Sequence, residues 1–359
     1  MHLRTRTSAR VLPALGVALA LTLTACGGSG GGGASGSGGG DPKTLTVVTH
    51  DSWSVPEEVL ADFTEQSGIT VKVQPQGDAG QLTNKLVLTK DSPLADGVYG
   101  IDNTFGSRAV DEGVLAAYDA DLPDSAEQLR LPGGEDRLTP VDYSDVCVNV
   151  DDSWFQKRGE EPPTSLADLT DPAYRDLFVT PGATTSSPGL AFLLATVAAV
   201  GEDGWQDYWK ALVANGAKVT SGWSDAYEVD FTAGGGGGDR PIVLSYSSSP
   251  PFTVPEGGTE PTTSALLDTC FRQVEYAGVL AGAENPEGME EFIDFMLGRE
   301  FQAALPDNMY VYPVDADVAL PKAWKRFAPA AEKPYAVDPA ELDGKREEWL
   351  REWRDIVTR

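Results

Sequence analysis

Five short segments carry the residues best suited to hold a ligand. They are His50-Asp51-Ser52-Trp53, Asp102-Asn103-Thr104, Thr184-Thr185-Ser186-Ser187-Pro188-Gly189, Ser221-Gly222-Trp223-Ser224-Asp225-Ala226-Tyr227 and Ser245-Tyr246-Ser247-Ser248-Ser249-Pro250. Each follows a stretch that reads as a β-strand, and open α/β sheets present ligands beyond the C-terminal ends of their strands. Taken singly, each also reads as ordinary cap and turn chemistry. Together they bring rings, hydroxyls and carboxylates to one sheet edge. Pro188 falls at the first position of an expected helix, where proline is favoured. The free N–H groups and dipole of that helix start, with Ser186 and Ser187, suit an anion. Asp102 suits a cation or a ring amine. Trp53, Trp223, Tyr246 and Tyr310 can stack on flat rings or face a cation. A ligand that uses all of these has an aromatic ring, a fixed positive charge and an optional phosphate.

No catalytic set assembles beside them. The chain has two histidines, His2 and His50, so a His-rich metal site cannot be built. A Ser-His-Asp triad would have to use His50. Gly27-Gly28-Ser29-Gly30-Gly31 matches G-x-S-x-G, but no strand precedes it and no helix follows. The run Gly234 to Gly238 is followed by Asp239-Arg240-Pro241 where a phosphate loop needs Gly-Lys-Ser/Thr. It is expected to be a flexible surface loop. No cofactor motif and no metal signature is found, and the carboxylates are too numerous for acid/base pairs to be picked out.

The elements that position the five segments alternate. Leu45 to Thr49, Ile69 to Gln74 and Asp96 to Ile101 read as strands, with helices over Val55 to Ser67, Gln81 to Lys90 and Ser107 to Leu115. After a strand at Val146 to Val150 the rhythm restarts. Short helical turns fall at Ser165 to Leu169 and Ala173 to Leu177. Strands follow at Phe178 to Thr180, Ala217 to Thr220, Ile242 to Ser245 and Phe271 to Val279. Helices fall at Pro188 to Val200, Gly204 to Asn215, Glu287 to Leu297 and Glu341 to Thr358. This is an α/β pattern with a mainly parallel sheet.

A length of 359 residues suggests two domains, and 41% hydrophobic residues suffice for their cores. The 55 Asp+Glu against 27 Lys+Arg give a net charge of −28. That charge excludes nucleic acid and a basic membrane-docking surface as partners, and leaves a cationic ligand open. Arg4, Arg6 and Arg10 precede an apolar run, Val11 to Thr24, that is too short to span a bilayer. Leu23-Thr24-Ala25-Cys26 resembles the bacterial lipoprotein signal, which implies cleavage before Cys26 and lipidation of its thiol. Residues 1–25 are then a signal peptide, and residues 26–42 the lipidated cysteine and its linker. Gly27 to Gly40 contains only Gly, Ser and one Ala, a flexible coil of about 20 Å r.m.s. span. The mature chain is expected outside the cytoplasm, anchored to the outer face of the cell membrane. Cys147 and Cys270 would then meet an oxidising compartment, as a disulfide or as two buried free thiols.

From about Lys43 to Arg359 the chain resembles the thiamine-binding proteins of ABC import systems, within the class II periplasmic-type solute-binding superfamily. The resemblance rests on THDSW (49–53), GIDNT (100–104), VDYSDV (141–146), TTSSPGL (184–190), SGWSDAY (221–227), VLSYSSSP (243–250), LPDNMYVYPV (305–314) and EEWLREWRDIVTR (347–359). It implies a two-lobed periplasmic-binding-protein-like class II α/β fold, with mixed sheets, hinge strands and an interlobe cleft. Residues 43–145 would start lobe 1, 146–272 form lobe 2, and 273–359 return to lobe 1. The hinge would run through Asp142 to Val148 and Phe271 to Tyr276, bringing Cys147 and Cys270 within bridging distance. Asp102 and Asn103 would hold the charged, polar part of the ligand, Ser186 and Ser187 a phosphate when present, and Trp223 and Tyr246 the cleft wall. Three positions depart from the family pattern: His50 and Phe252 stand where tyrosines are usual, and Tyr310 where a tryptophan is. With Trp53 these complete the ligand set.

The function implied is capture of thiamine or its phosphates and delivery to an ABC permease with its ATPase subunit. No catalysis and no cofactor is implied, and a monomer is expected. The alternatives are the same fold holding a polyamine or ferric iron, and an extracytoplasmic hydrolase. Iron sites favour paired tyrosines, and Ser245-Tyr246-Ser247 offers one.

Overall fold

The computed structural model describes residues 43–358. The expected signal peptide, Cys26 and the Gly/Ser linker lie outside these residues. The β-branched run after Lys43 forms β1 (Lys43–Thr49). Helix α1 (Glu57–Ser67) opens with Glu57 and Glu58, where the helix dipole favours acids, and ends at Gly68 in the left-handed region (φ 72). It leads to β2 (Ile69–Pro75), α2 (Ala79–Leu88), β3 (Gly97–Asp102) and α3 (Gly106–Asp111). Strand β4 (Thr139–Asp151) is thirteen residues long, well past the expected 146–150, and is followed by α4 (Asp152–Arg158). Then come β5 (Phe178–Pro181), α5 (Ser187–Val200), α6 (Trp205–Ala214), β6 (Lys218–Thr220), β7 (Ile242–Tyr246), β8 (Thr263–Ala265) and β9 (Phe271–Val279). The chain closes with α7 (Pro286–Leu297), α8 (Arg299–Met309), β10 (Tyr312–Pro313), α9 (Lys322–Phe327) and α10 (Pro339–Val357).

The strands form one mixed sheet in the order β2-β1-β3-β9-β4-β7-β5-β6, with β8 and β10 also on β4. At one end β1 is parallel to β2 and β3, and at the other β5 is parallel to β6 and β7. The middle pairs are antiparallel: β3 with β9, β9 with β4, and β4 with β7. The parallel expectation therefore holds at the two ends and fails between them. The reason is the length of β4: residues 139–146 pair with β9 and residues 146–150 with β7, so one strand serves both ends. Cys147 on β4 and Cys270, just before β9, are bonded, with Cα atoms 4.2 Å apart.

Helix α5 is buried from Ser187 to Val197, as an Ala/Leu-rich helix without a polar face must be. Helix α10 packs Trp353 edge-on against Trp209 of α6, with ring centroids 5.5 Å apart. Its Arg346 reaches the other way, donating to the Thr104 carbonyl (3.3 Å) and the Ser107 hydroxyl (2.8 Å).

Candidate functional site

Where the two parallel ends of the sheet face each other lies a cavity of about 320 Å³, within the range of small-ligand sites. Its wall is built by His50 to Ser54 after β1, Asp78 and Ala79 at the start of α2, Ser187 and Pro188 at the start of α5, Trp223, Ser224 and Glu228, Tyr246 at the end of β7, Glu275 on β9, and Asn308 to Val311 after α8.

The wall holds four carboxylates, Asp51, Asp78, Glu228 and Glu275, and neither lysine nor arginine. Asp51 and Glu228 are exposed at the rim, where solvent and salt screen them. Asp78 and Glu275 are buried. Asp78 caps α2 by accepting from Ala79 N–H (2.7 Å), and also accepts from Ser187 N–H (3.3 Å) and Trp223 N–H (3.0 Å). It therefore ties the first parallel end to the second. Burial raises its pKa above the ordinary carboxylate value, against the pull of the Trp223 N–H and the Ser186 hydroxyl. Glu275 Oε1 lies 3.4 Å from His50 Nε2, close enough for attraction but not aligned as a hydrogen bond. The other ring nitrogen, Nδ1, meets the Ser52 hydroxyl at 3.0 Å. Burial lowers the pKa of the His50 imidazole, but the Glu275 charge and contact, together with the charges of Asp78 and Asp51, more than offset this and leave it raised. Burial likewise pushes Glu275 up, and the His50 charge, with contacts from His50, Asp142 and Tyr99, leaves it lowered.

The opposite wall is aromatic. Trp223 stacks on Tyr227 (5.0 Å, 12°), and its indole N–H donates to Ser245 Oγ at 3.0 Å. Tyr246 and Tyr310 each lie 5.9 Å from Trp223, tilted and edge-on. Residues Asp225–Asp230 form a π-helical turn that presents Glu228 to the cavity. The glycine run 234–238 lies at the surface, as expected, and packs flush against this turn. A Cβ on Gly234 would stand 1.6 Å from the Tyr227 carbonyl oxygen, on Gly236 2.3 Å from that of Glu228, and on Gly238 2.1 Å from that of Asp230. Gly236 N–H donates to the Glu228 carbonyl at 2.9 Å. Only a side-chain-free ribbon can approach the turn this closely.

Of the residues singled out in the sequence, the cavity gathers His50, Trp53, Ser187, Trp223, Tyr246 and Tyr310. Four others stand behind its wall. Asp102 is fully buried, with both carboxylate oxygens accepting from the Thr104 hydroxyl (2.8 and 3.0 Å). Asn103 bridges backbone, donating to the Arg272 carbonyl and accepting from Val274 N–H. Ser186 is fully buried and caps α5 by accepting from Gly189 N–H. Phe252 stacks behind Tyr310, with centroids 3.6 Å apart. The anion met by the start of α5 is the chain's own Asp78. Asp78, Glu228 and Glu275 were not singled out in the sequence. Among the described residues no group of three or more His, Cys, Asp or Glu is arranged to hold a metal ion.

Residues 92–249 match the family model described as bacterial extracellular solute-binding protein. The thiamine-binding periplasmic protein of Escherichia coli (strain K12) is 31% identical over 88% of this chain and 94% of its own length. That of Brucella suis biovar 1 is 30% identical over 88% of this chain and 92% of its own. A solved structure titled periplasmic thiamin binding protein superposes with a TM-score of 0.77 at 29% identity, covering 88% of this chain and 96% of that one.

Proposed function

This chain belongs to the family of thiamine-binding periplasmic proteins, and we propose that it captures thiamine in the cavity between the two parallel ends of its sheet and delivers it to an ABC permease. One observation carries the reading. The cavity joins buried carboxylates, free of any lysine or arginine, to a facing set of aromatic rings. Thiamine is two flat heteroaromatic rings, one with a fixed positive charge. The rings suit Trp223, Tyr246, Tyr310 and Trp53, and the charge suits Glu275 and Asp78. Ser187 offers a hydroxyl to a polar tail. Asp102, Asn103, Ser186 and Phe252 shape this surface from behind it. Release to the permease follows from the two ends moving apart about β4 and β9, a hinge motion with no covalent step.

Titration calorimetry with thiamine and its mono- and diphosphates tests the reading. Saturable binding of thiamine at micromolar concentration or below supports it; no heat with any of the three sinks it. The lipid anchor at Cys26 belongs to the same proposal. Cys26→Ser should move the protein from the membrane fraction to the soluble one, and unchanged fractionation would remove the anchor from the picture.

A further inference from the structure

Three carboxylates stand in register across the middle of the sheet. Glu275 on β9 is the Cα partner of Asp102 on β3 and of Asp142 on β4. Direct cross-strand partners share a face, so the three form a row. Both outer strands break register at this level, between Tyr99 and Ile101 and between Pro140 and Asp142, and such bulges re-aim the local side chains. Asp102 and Asp142 are 0% exposed and Glu275 6%. Like charges directly opposite one another destabilise a sheet, and each buried charge adds a desolvation cost, so the row cannot be ionised throughout. Two buried polar atoms here lack a hydrogen-bond partner: Asp142 Oδ1, and His50 Nε2, which is aimed at Glu275. The Tyr99 hydroxyl donates to Asp142 Oδ2 at 2.5 Å. Only Glu275 of the row reaches the cavity.

We propose that this row stores protons, and that a cationic ligand enters the cavity in exchange for protons released from it. The inference rests on the reading of the cavity as a thiamine site and adds its regulation by pH. The charged or titratable groups around Glu275 and its partner His50 are Asp51 after β1, Asp78 at the start of α2, Tyr99 and Asp102 on β3, Asp142 on β4 and Tyr246 on β7. None is a lysine or arginine that could hold the row ionised. A fixed positive charge against Glu275 favours the ionised form of each carboxylate and the neutral form of His50. Every one of these shifts sheds protons. Asp102 is held at about 7 by burial and by the Glu275 charge, against the Thr104 hydroxyl. Asp142 is pushed well above the carboxylate range by burial and then by Glu275. Affinity for the cation then rises with pH, by about tenfold per pH unit for each proton released.

The test is calorimetry of the purified protein with thiamine at neutral pH in phosphate and in Tris, whose heats of ionisation differ. The expected result is a buffer-dependent heat equivalent to release of about one proton, with affinity climbing across the neutral range. Asp142→Asn should reduce the release and flatten the climb, while His50→Gln retains part of both. Equal heats in the two buffers, or net proton uptake, overturn the inference and leave thiamine binding standing. This comparison needs only the unaltered protein. Full release in Asp142→Asn with none in His50→Gln also overturns it, by assigning the proton to the imidazole alone. No heat with thiamine in either buffer overturns the functional reading and this inference with it.

Discussion

The two parallel ends of the sheet meet the cavity with different chemistry. The β2-β1-β3 end supplies His50, Asp51 and Asp78, groups that read charge, with the Trp53 indole beside them. The β7-β5-β6 end supplies Trp223 and Tyr246, which read flat surfaces, with Glu228 at its rim. Glu275 stands between them on β9. Neither end alone offers both a buried carboxylate and the facing set of rings. Recognition of the whole ligand is therefore coupled to how closely the ends approach. Asp78 is the group that reports the approach, because its carboxylate belongs to one end and its N–H partners at Ser187 and Trp223 to the other.

The comparison can be broken at the strands the two ends share. Cys147→Ser with Cys270→Ser removes a cross-link spanning 123 residues of sequence. It should cost about 3–5 kcal/mol of stability in urea denaturation. Both ends should weaken in one transition; a loss confined to one end would separate them.

A smaller effect separates the ends by pH. Burial raises the Asp102 pKa from 3.8 to about 7, so the folded state holds a proton that the unfolded chain has lost. The stabilisation from that proton is complete below the unfolded value and disappears as pH rises to the folded one. It amounts to at most about 4 kcal/mol. Asp102→Asn, neutral at every pH, should gain stability relative to the unaltered protein as pH rises over that window. Parallel stability curves would show that the charged end stores no such cost.

Next is the ring end. Trp223→Ala should weaken thiamine binding by about 2 kcal/mol, in line with buried aromatic anchors elsewhere. The loss should be equal at every pH, because the indole carries no titrating group. A loss that varies with pH would merge the two chemistries. The smallest effect is expected at the glycine ribbon. Gly236→Ala puts a Cβ 2.3 Å from the Glu228 carbonyl oxygen, which should displace the π-helical turn and cost about 1 kcal/mol of affinity. Unchanged affinity would mean that the turn keeps its place without the ribbon.

The same division decides what was legible in the sequence. Strands β1, β2, β3, β5 and β9 and helices α5, α6 and α10 show in apolar runs and periodicities that match their packing. Helix α8 does not, because Pro306 inside it argues against a helix interior. The first half of β4 is hidden by Asp142, Ser144 and Asp145, polar residues that are buried only because other strands cover them. The ring wall was legible, since Trp223, Tyr246 and Tyr310 sit at or just beyond the ends of strands and helices, where rings need a reason. The buried carboxylates of the charged wall were not. Among 55 acidic residues, burial alone distinguishes Asp78 and Glu275 from the solvated majority. Glu275 left one trace, a carboxylate in the middle of the strand FRQVEYAGV, whose other polar residues, Arg272 and Gln273, lie before it. Asp102 shows the reverse: a carboxylate at a strand end suits a ligand's charge by its position, yet its bonds to Thr104 turn it inward, behind the wall.

Helix α10 carries a consequence in time. Its Trp353 packs on α6 while its Arg346 holds the segment after β3, so this helix clasps elements made far earlier. A ribosome delivers those residues after every element they clasp. The clasp between the two regions cannot exist while the protein is being made, and a product truncated before Pro339 would be left without it.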